Sequence, residues 1–86
     1  MINQKDHPAG WYQLLDELSD AHEHLGHLIK ELQEDPEYDD SNLRIDLGHV
    51  LAHLNRAWLC RNEPDGLSEE KWSQARDFPD DLEPIA

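Results

Sequence analysis

The sequence predicts an all-α protein: an antiparallel helical hairpin, followed by a short C-terminal helix and an extended tail. Two long segments carry apolar residues spaced alternately by three and four, which is the period of an amphipathic helix. The connection between them, "EDPEYDDS", is short enough to make the two helices antiparallel neighbours. The 86 residues suffice for one domain, so we treat 1–86 as a single folding unit.

The first helix is predicted over about residues 8–34. Pro8 suits the first turn, where a backbone N–H is not needed, and Asp6 is the candidate cap. Pro36 disfavours helical angles at Asp35 and so ends the helix. The apolar stripe of this helix consists of Trp11, Leu14, Leu15, Leu18, Ala21, Leu25, Leu28, Ile29 and Leu32.

The second helix is predicted over about residues 42–62. Asp40 or Ser41 is expected to cap its first turn. Pro64 cannot continue the helix, and the "DG" that follows it favours a turn. The apolar stripe of this helix consists of Leu43, Leu47, Val50, Leu51, Leu54, Ala57 and Trp58.

A short helix is predicted over about residues 68–76, with Ser68 as its cap. Leu67 and Trp72 are expected to dock this helix on the hairpin, although a partly ordered arm is the alternative. The proline-containing tail, residues 77–86, should be extended. Its apolar residues are expected to lie along the helices; they are Phe78, Leu82 and Ile85.

The net charge of −13 argues against nucleic-acid binding, which depends on Lys and Arg contacts to phosphates. A basic protein partner is more compatible with this charge. The second helix is the one cationic segment, with Arg44, Arg56 and Arg61 against Asp46 alone over residues 43–62. We therefore expect it to lie centrally, between the acidic first helix and the acidic C-terminal arm.

Cysteine usage and hydropathy favour a soluble cytoplasmic protein. Cys60 is the only cysteine, so no internal disulfide forms and a reducing compartment is expected. The N-terminal "MINQKDHPAG" does not resemble a signal peptide. No apolar run approaches the ~18 residues that suggest a membrane span, so no membrane association is predicted.

The two apolar stripes are too wide for a single hairpin to bury, which predicts a homodimer arranged as a four-helix bundle. Burying about 800 Å² more per chain gains roughly 20 kcal/mol, against an association cost of about 4–15 kcal/mol. Because both chains are acidic, the dimer should tighten as salt is added.

Histidines of the first helix suggest a metal site, but the helix separates them. At about 100° per residue, His22, His24 and His27 cannot point at one ion. His22 falls within the apolar stripe, and we interpret it as an inward histidine that needs a polar partner. His24 and His27 are expected to be solvated.

The second helix offers an alternative metal site at Asp46, His49 and His53, whose spacing resembles that of carboxylate and histidine ligands in di-metal helical bundles. Cys60 is about 16 Å along the axis from His49 and cannot join it. We favour a hydrated flank, or a polar seam with the third helix, over a metal site. No metal or other cofactor is therefore predicted, and a metal-binding helical bundle remains the alternative function.

Catalytic signatures are lacking, so the protein is not predicted to be an enzyme. The four glycines are scattered and form no phosphate-binding loop. His53 and Cys60 are two helical turns apart, which is too far for a nucleophile and its base. Cys60 is better interpreted as a small core residue. Gly26 and Gly48 lie within helices, where each indicates either a close helix crossing or drift.

Four residues at the end of the second helix and in the short helix form the candidate interface: Trp58, Arg61, Asn62 and Trp72. Tryptophan and arginine frequently anchor protein interfaces. The alternative is that both tryptophans hold the short helix while Arg61 neutralises the last helical carbonyls. The predicted function is a small acidic interaction or structural module that acts as a homodimer.

Overall fold

The computed structural model describes residues 1–85, and all regular structure within that range is helical. The helices are α1 (Pro8–Glu34), α2 (Asp40–Cys60) and α3 (Glu69–Gln74). α1 and α2 pack against each other as the predicted hairpin. The bounds of α1 equal those predicted, whereas α2 begins and ends two residues earlier than 42–62 and α3 is shorter than 68–76.

A side-chain cap fixes the start of α2, whereas α1 begins at Pro8 without a side-chain cap hydrogen bond. Asp39 caps α2 in place of the expected Asp40 or Ser41. Its side chain accepts hydrogen bonds from the backbone N–H groups of Ser41 and Asn42, at 3.0 and 3.1 Å. The prediction of Asp6 as the cap of α1 was also wrong: the N-cap is His7, and Asp6 hydrogen-bonds instead with Asn3.

The C-terminal arm, residues 68–85, lies against α2. Ser68 caps α3 as predicted, because its Oγ accepts from the N–H of Lys71 at 3.2 Å. Further along, the side chain of Asn55 donates to the carbonyl of Asp77 at 3.3 Å. Leu82 lies beside the hairpin, but Ile85 is 99% exposed, so the expectation that Ile85 packs on the helices was wrong.

The face that α1 turns toward α2 overlaps the expected apolar stripe at one edge, where Leu14, Ala21 and Leu28 are buried as predicted. Its buried residues recur at spacings of four, three and seven, and they are Gly10, Leu14, Glu17, Ala21 and Leu28. The corresponding buried residues of α2 are Val50, Asn55, Ala57 and Cys60. Many of these side chains are small or polar, whereas most of the leucines of both helices remain outside. At about 100° per residue, the centre of the buried positions of α1 lies roughly 55° from the centre of its predicted apolar stripe.

A close backbone contact at the start of α1 accounts for part of this rotation. The N–H of Gly10 donates to the carbonyl of Pro64 at 2.9 Å. A Cβ at residue 10 would lie 1.9 Å from the carbonyl oxygen of Glu63, so only glycine allows this approach. A second hydrogen bond holds the turn after α2, because the N–H of Leu67 donates to the side chain of Gln13 at 2.6 Å. α1 is thereby fixed against the α2–α3 connection.

The N-terminal segment contributes a core residue that lies outside both helical apolar stripes. Ile2 is buried, and its N–H donates to the carbonyl of Arg61 at 2.7 Å. This bond satisfies a carbonyl at the C-terminus of α2. The segment before α1 therefore covers one end of the hairpin.

No helix within residues 1–85 is both long enough and apolar enough to traverse a bilayer. Both α1 and α2 carry charged residues among their apolar ones. The two long helices are therefore amphipathic rather than uniformly apolar.

Candidate functional site

The hairpin has two different faces, and each is a candidate site. We call the first the leucine face; it comprises Leu15, Leu18, Leu25, Ile29 and Leu32 of α1 with Leu47, Leu51 and Leu54 of α2. We call the second the histidine face; it comprises Glu17 and His24 of α1 with His49, His53 and Arg56 of α2.

The leucine face is an exposed and largely aliphatic surface. Its eight side chains are between 40% and 52% exposed. Leu18 and Leu54 line one apolar groove of about 370 Å³ together with Trp58, which shows that the two helices present their leucines on the same side. Within α1 the leucine-face residues follow spacings of three, four and seven, as in helices that pack along their length.

Gly26 and Gly48 lie next to the leucine face, one residue after Leu25 and Leu47. Apart from the adjacent backbone of its own helix, a Cβ at either glycine would meet no atom of the described chain within 4 Å. A close crossing between α1 and α2 is therefore not the reason for these glycines. The close backbone approach of α1 occurs at Gly10, against the connection between α2 and α3.

Glu17 is the inward polar residue of α1, in place of the predicted His22. Glu17 is 5% exposed, whereas His22 is exposed to solvent. The carboxylate of Glu17 contacts Nδ1 of His53 at 2.7 Å and accepts from Nε of Arg56 at 3.0 Å. The prediction for His22 failed because the rotation of α1 moves residue 22 away from α2 and brings residue 17 toward it.

Arg56 extends this cluster to the third helix. Its guanidinium carbon lies 4.2 Å from the ring centre of Trp72, a cation–π arrangement. The same guanidinium lies 3.0 Å from Nδ1 of His53. Since the carboxylate of Glu17 is the closer neighbour of Nδ1, we assign the ring proton to that nitrogen, which directs Nε2 of His53 away from Glu17.

His24 lies next to two histidines of α2. Its ring centre is 5.1 Å from that of His53 and 5.5 Å from that of His49. The expectation of a merely solvated His24 was incomplete, because its ring is exposed yet stacks on His53 with an interplanar angle of 21°. His27 is solvated as expected, 67% exposed, and pairs with Glu31 at 3.0 Å.

The alternative ligand set, Asp46 with His49 and His53, is not brought together among residues 1–85 as a group that could hold a metal ion. Asp46 accepts a hydrogen bond from the hydroxyl of Tyr38 at 2.6 Å. Desolvation and this carboxylate raise the pKa of Tyr38 to about 12. In the arrangement of residues 1–85, no three His, Cys, Asp or Glu side chains converge so as to hold a metal ion.

Cys60 is a core residue, as predicted. It is fully buried and packs with Leu14 and Ala57. Burial, together with the nearby carboxylates of Glu17 and Glu63, raises the pKa of the Cys60 thiol to about 11. Because the thiolate is the reactive form, this cysteine is poorly suited to nucleophilic chemistry.

The two tryptophans among the four candidate interface residues contact different arginines. Arg61 stacks on Trp58 at 3.7 Å, while Trp72 lies against the other arginine, Arg56. Arg61 donates to the carbonyl of Trp58 at 2.7 Å, which agrees with the alternative that it neutralises a terminal helical carbonyl. Asn62 is exposed.

Asp81 connects the arm to the end of α2. It accepts from the indole N–H of Trp58 at 2.8 Å and from the guanidinium of Arg61 at 2.9 Å. The indole hydrogen bond, with a smaller contribution from Arg61, lowers the pKa of Asp81. Trp58 and Arg61 therefore hold the tail in this structure, and their aromatic and cationic groups are partly occupied.

Comparison with known proteins gives no relative. No protein-family model, curated protein or solved structure matches this chain. Function must therefore be inferred from the chemistry of the leucine face and the histidine face.

Proposed function

We propose that the protein is a non-enzymatic interaction module that works as a homodimer, in which the leucine faces of two hairpins pack together as a four-helix bundle. The supporting observation is the exposed surface of the chain. The solvent-accessible area is 6667 Å², whereas a folded monomer of 10.0 kDa exposes about 5,200 Å². The excess is about 1,400 Å², and a standard interface buries about 800 Å² per partner.

The location of the exposed apolar residues supports a second copy as the partner. In a two-fold dimer, a surface of one chain packs against the same surface of the other chain. One sufficiently wide apolar face is therefore enough to form the interface. The leucine face contains eight half-exposed aliphatic side chains from two helices, with repeating helical spacings on α1. Burial of these side chains provides the driving force, because apolar area contributes about 25 cal/mol per Å².

Charge affects this association in a predictable way. Each chain carries a net charge of −13, so two chains repel at long range. Salt at about 0.1 M screens charges beyond about 10 Å, while leaving the apolar contact intact. The dimer should therefore tighten with added salt. The acidic outer surface would remain available to a basic protein, and the single buried Cys60 suits a reducing cytoplasmic setting.

Sedimentation equilibrium on the full chain tests the proposal. We expect a dimer at about 100 µM that becomes tighter between about 50 and 500 mM NaCl. Leu25→Glu and Leu51→Glu place charges on the leucine face and should give folded monomers. Ile45→Glu is the matched control, because Ile45 is 60% exposed but lies outside that face.

A monomer at about 100 µM, or dissociation on adding salt, would contradict the homodimer. Equal loss of association in the Ile45→Glu control would show that the leucine face is not the contact surface. Helical content measured by circular dichroism distinguishes dissociation from unfolding in each variant.

A further inference from the structure

We infer that the C-terminal end of α2 is a docking site for an extended segment of another protein. Trp58 and Arg61 bind a carboxylate of that segment, and the adjacent apolar groove accepts the side chain of the residue that follows. Asp81 and Leu82 of the arm occupy this site as an internal ligand. The site lies at one end of the hairpin and does not require the homodimer proposed above.

Two side chains of α2 and its C-cap converge on one carboxylate. The indole N–H of Trp58 donates to Oδ1 of Asp81 at 2.8 Å, and the guanidinium of Arg61 donates to Oδ2 at 2.9 Å. Arg61 also stacks on the ring of Trp58 at 3.7 Å and donates to the Trp58 carbonyl at 2.7 Å. These two contacts hold Arg61 independently of Asp81, so the donor pair is preserved when another carboxylate takes the place of Asp81.

An apolar groove of about 370 Å³ lies beside this donor pair. Its walls include Leu14, Leu18, Leu54, Ala57, Trp58 and Leu82. Leu82 follows Asp81 in the chain and forms one wall of the groove without filling it, since the groove volume remains with Leu82 in place and that residue is 39% exposed. A larger apolar side chain at this position would bury more apolar area and bind more tightly.

The arm is a replaceable occupant of this site. Within residues 1–85, no backbone–backbone hydrogen bond joins residues 76–85 to the hairpin. The arm is attached through side chains instead: those of Trp58 and Arg61 bind Asp81, and that of Asn55 donates to the carbonyl of Asp77 at 3.3 Å. The side chain of Asp81 is 62% exposed, and exposed ion pairs contribute little to stability. A segment that fills the groove better can therefore displace the arm.

Charge complementarity selects an acidic partner segment at this place. Residues 43–62 carry three arginines against one aspartate, a net charge of +2 in a chain whose total is −13. The end of α2 therefore attracts a carboxylate that the rest of the surface repels. Tryptophan and arginine are also the residue types that most often anchor interfaces. The partner is accordingly a protein segment with Asp or Glu followed by a large apolar residue, in the extended form of residues 82–85.

Titration with a synthetic peptide of residues 77–85 tests this site. The receptor is the ¹⁵N-labelled full chain with Asp81→Asn and Leu82→Ser, which empty the site, and with Leu25→Glu, which prevents a second copy from covering the groove. The NMR signal of the Trp58 indole N–H reports binding. We expect a Kd of about 1 mM or tighter, because a short tether supplies the arm at an effective concentration in the mM range and the arm is docked. The same chain with an intact arm should bind the peptide at least about 3-fold more weakly.

Changes in the peptide test each part of the site without altering the fold of the receptor. Asp81→Asn in the peptide should weaken binding at least about 3-fold, whereas the matched control Asp80→Asn should leave it unchanged. Leu82→Phe in the peptide should tighten binding at least about 3-fold by filling the groove.

Absence of peptide binding to the opened receptor would overturn the proposal, as would equal binding of the Asp81→Asn peptide. Failure of Leu82→Phe to tighten binding would show that the groove does not accept the apolar side chain. If the unlabelled original chain shifts the Trp58 signal as strongly as the peptide does, the occupant is the arm of a second copy, and a foreign partner is excluded. Circular dichroism confirms that the receptor variants are folded.

Discussion

Glu17 of α1 and His53 of α2 are joined across the hairpin by a 2.7 Å contact between a carboxylate oxygen and Nδ1. Arg56 completes the pair as a compact charged cluster within a small core. The same contact orients α1, because Glu17 must face α2 to reach its partners. When Glu17 faces inward, the leucines one position further along the helix face outward. The polar cluster and the exposed leucine face are therefore two consequences of one helix rotation.

Replacement of Glu17 should destabilise the hairpin. Glu17→Gln keeps the shape of the side chain but removes the charge that neutralises Arg56, whose side chain is only 14% exposed. We expect a loss of about 3 kcal/mol in the free energy of unfolding, measured by urea denaturation at fixed protein concentration. The exposed Glu23→Gln is the control and should change stability by less than about 0.5 kcal/mol. An equally small change in stability for Glu17→Gln would show that the pairing of Glu17 with Arg56 does not stabilise the hairpin.

Two glycine substitutions should change the stability of the protein in opposite directions. Gly10→Ala forces a Cβ onto the carbonyl of Glu63 and should cost more than about 2 kcal/mol, since backbone must move. Gly26→Ala enters open space and should stabilise α1 by about 1 kcal/mol through helix propensity. Thermal denaturation of both variants measures the difference. Destabilisation by Gly26→Ala would show that another chain packs closely at this position.

The Cys60 thiol should be protected from alkylation in the folded chain. With a pKa of about 11, roughly one thiol in a thousand is ionised at pH 8, and the side chain is fully buried. Iodoacetamide should therefore react only as the protein unfolds, so the labelling rate should rise steeply with urea. Fast labelling in the absence of urea would place Cys60 at an accessible surface.

The C-terminal arm should dissociate from α2 at pH values below the usual pKa of an aspartate carboxyl group. The pKa of Asp81 is lowered in the folded protein, so its contribution to stability is present above the usual Asp pKa of about 3.9 and is lost as pH falls through the folded value. Fluorescence of Trp58, with Trp11 and Trp72 replaced by Phe, should report this release. Asp81→Asn should release the arm already at neutral pH, whereas the exposed neighbour Asp80→Asn should not. If Asp81→Asn leaves the fluorescence spectrum of Trp58 unchanged, the hydrogen bonds of Asp81 do not hold the arm.

The Tyr38 hydroxyl should resist ionisation. Its pKa is raised to about 12, so neutral Tyr38 contributes stability that is complete below pH 10 and is lost as pH rises through the folded value. Ultraviolet titration in a Tyr12→Phe background isolates Tyr38. Asp46→Asn should lower the Tyr38 pKa by removing the acceptor and the negative charge. An identical titration curve in that variant would show that Asp46 is not responsible.

Local sequence determined the secondary structure of this protein. Pro8 and Pro36 set the ends of α1, and the proline and glycine after Asn62 end α2, because their backbone restrictions act within a few residues. Leucine periodicity also predicted correctly that apolar surface would remain exposed on the hairpin. Burial of Cys60 could be anticipated from its residue type.

Tertiary structure decided which face of each helix turns inward. The apolar stripe of α1 is broad, so periodicity alone allowed the leucines to face α2, with His22 as the inward polar residue. The approach of Gly10 to Glu63 and the pairing of Glu17 with Arg56 select a rotation of α1 that is roughly 55° from the centre of that stripe. That rotation places His24 beside His49 and His53. Contacts between residues far apart in the chain determine it, and helical periodicity within one segment carries no information about them.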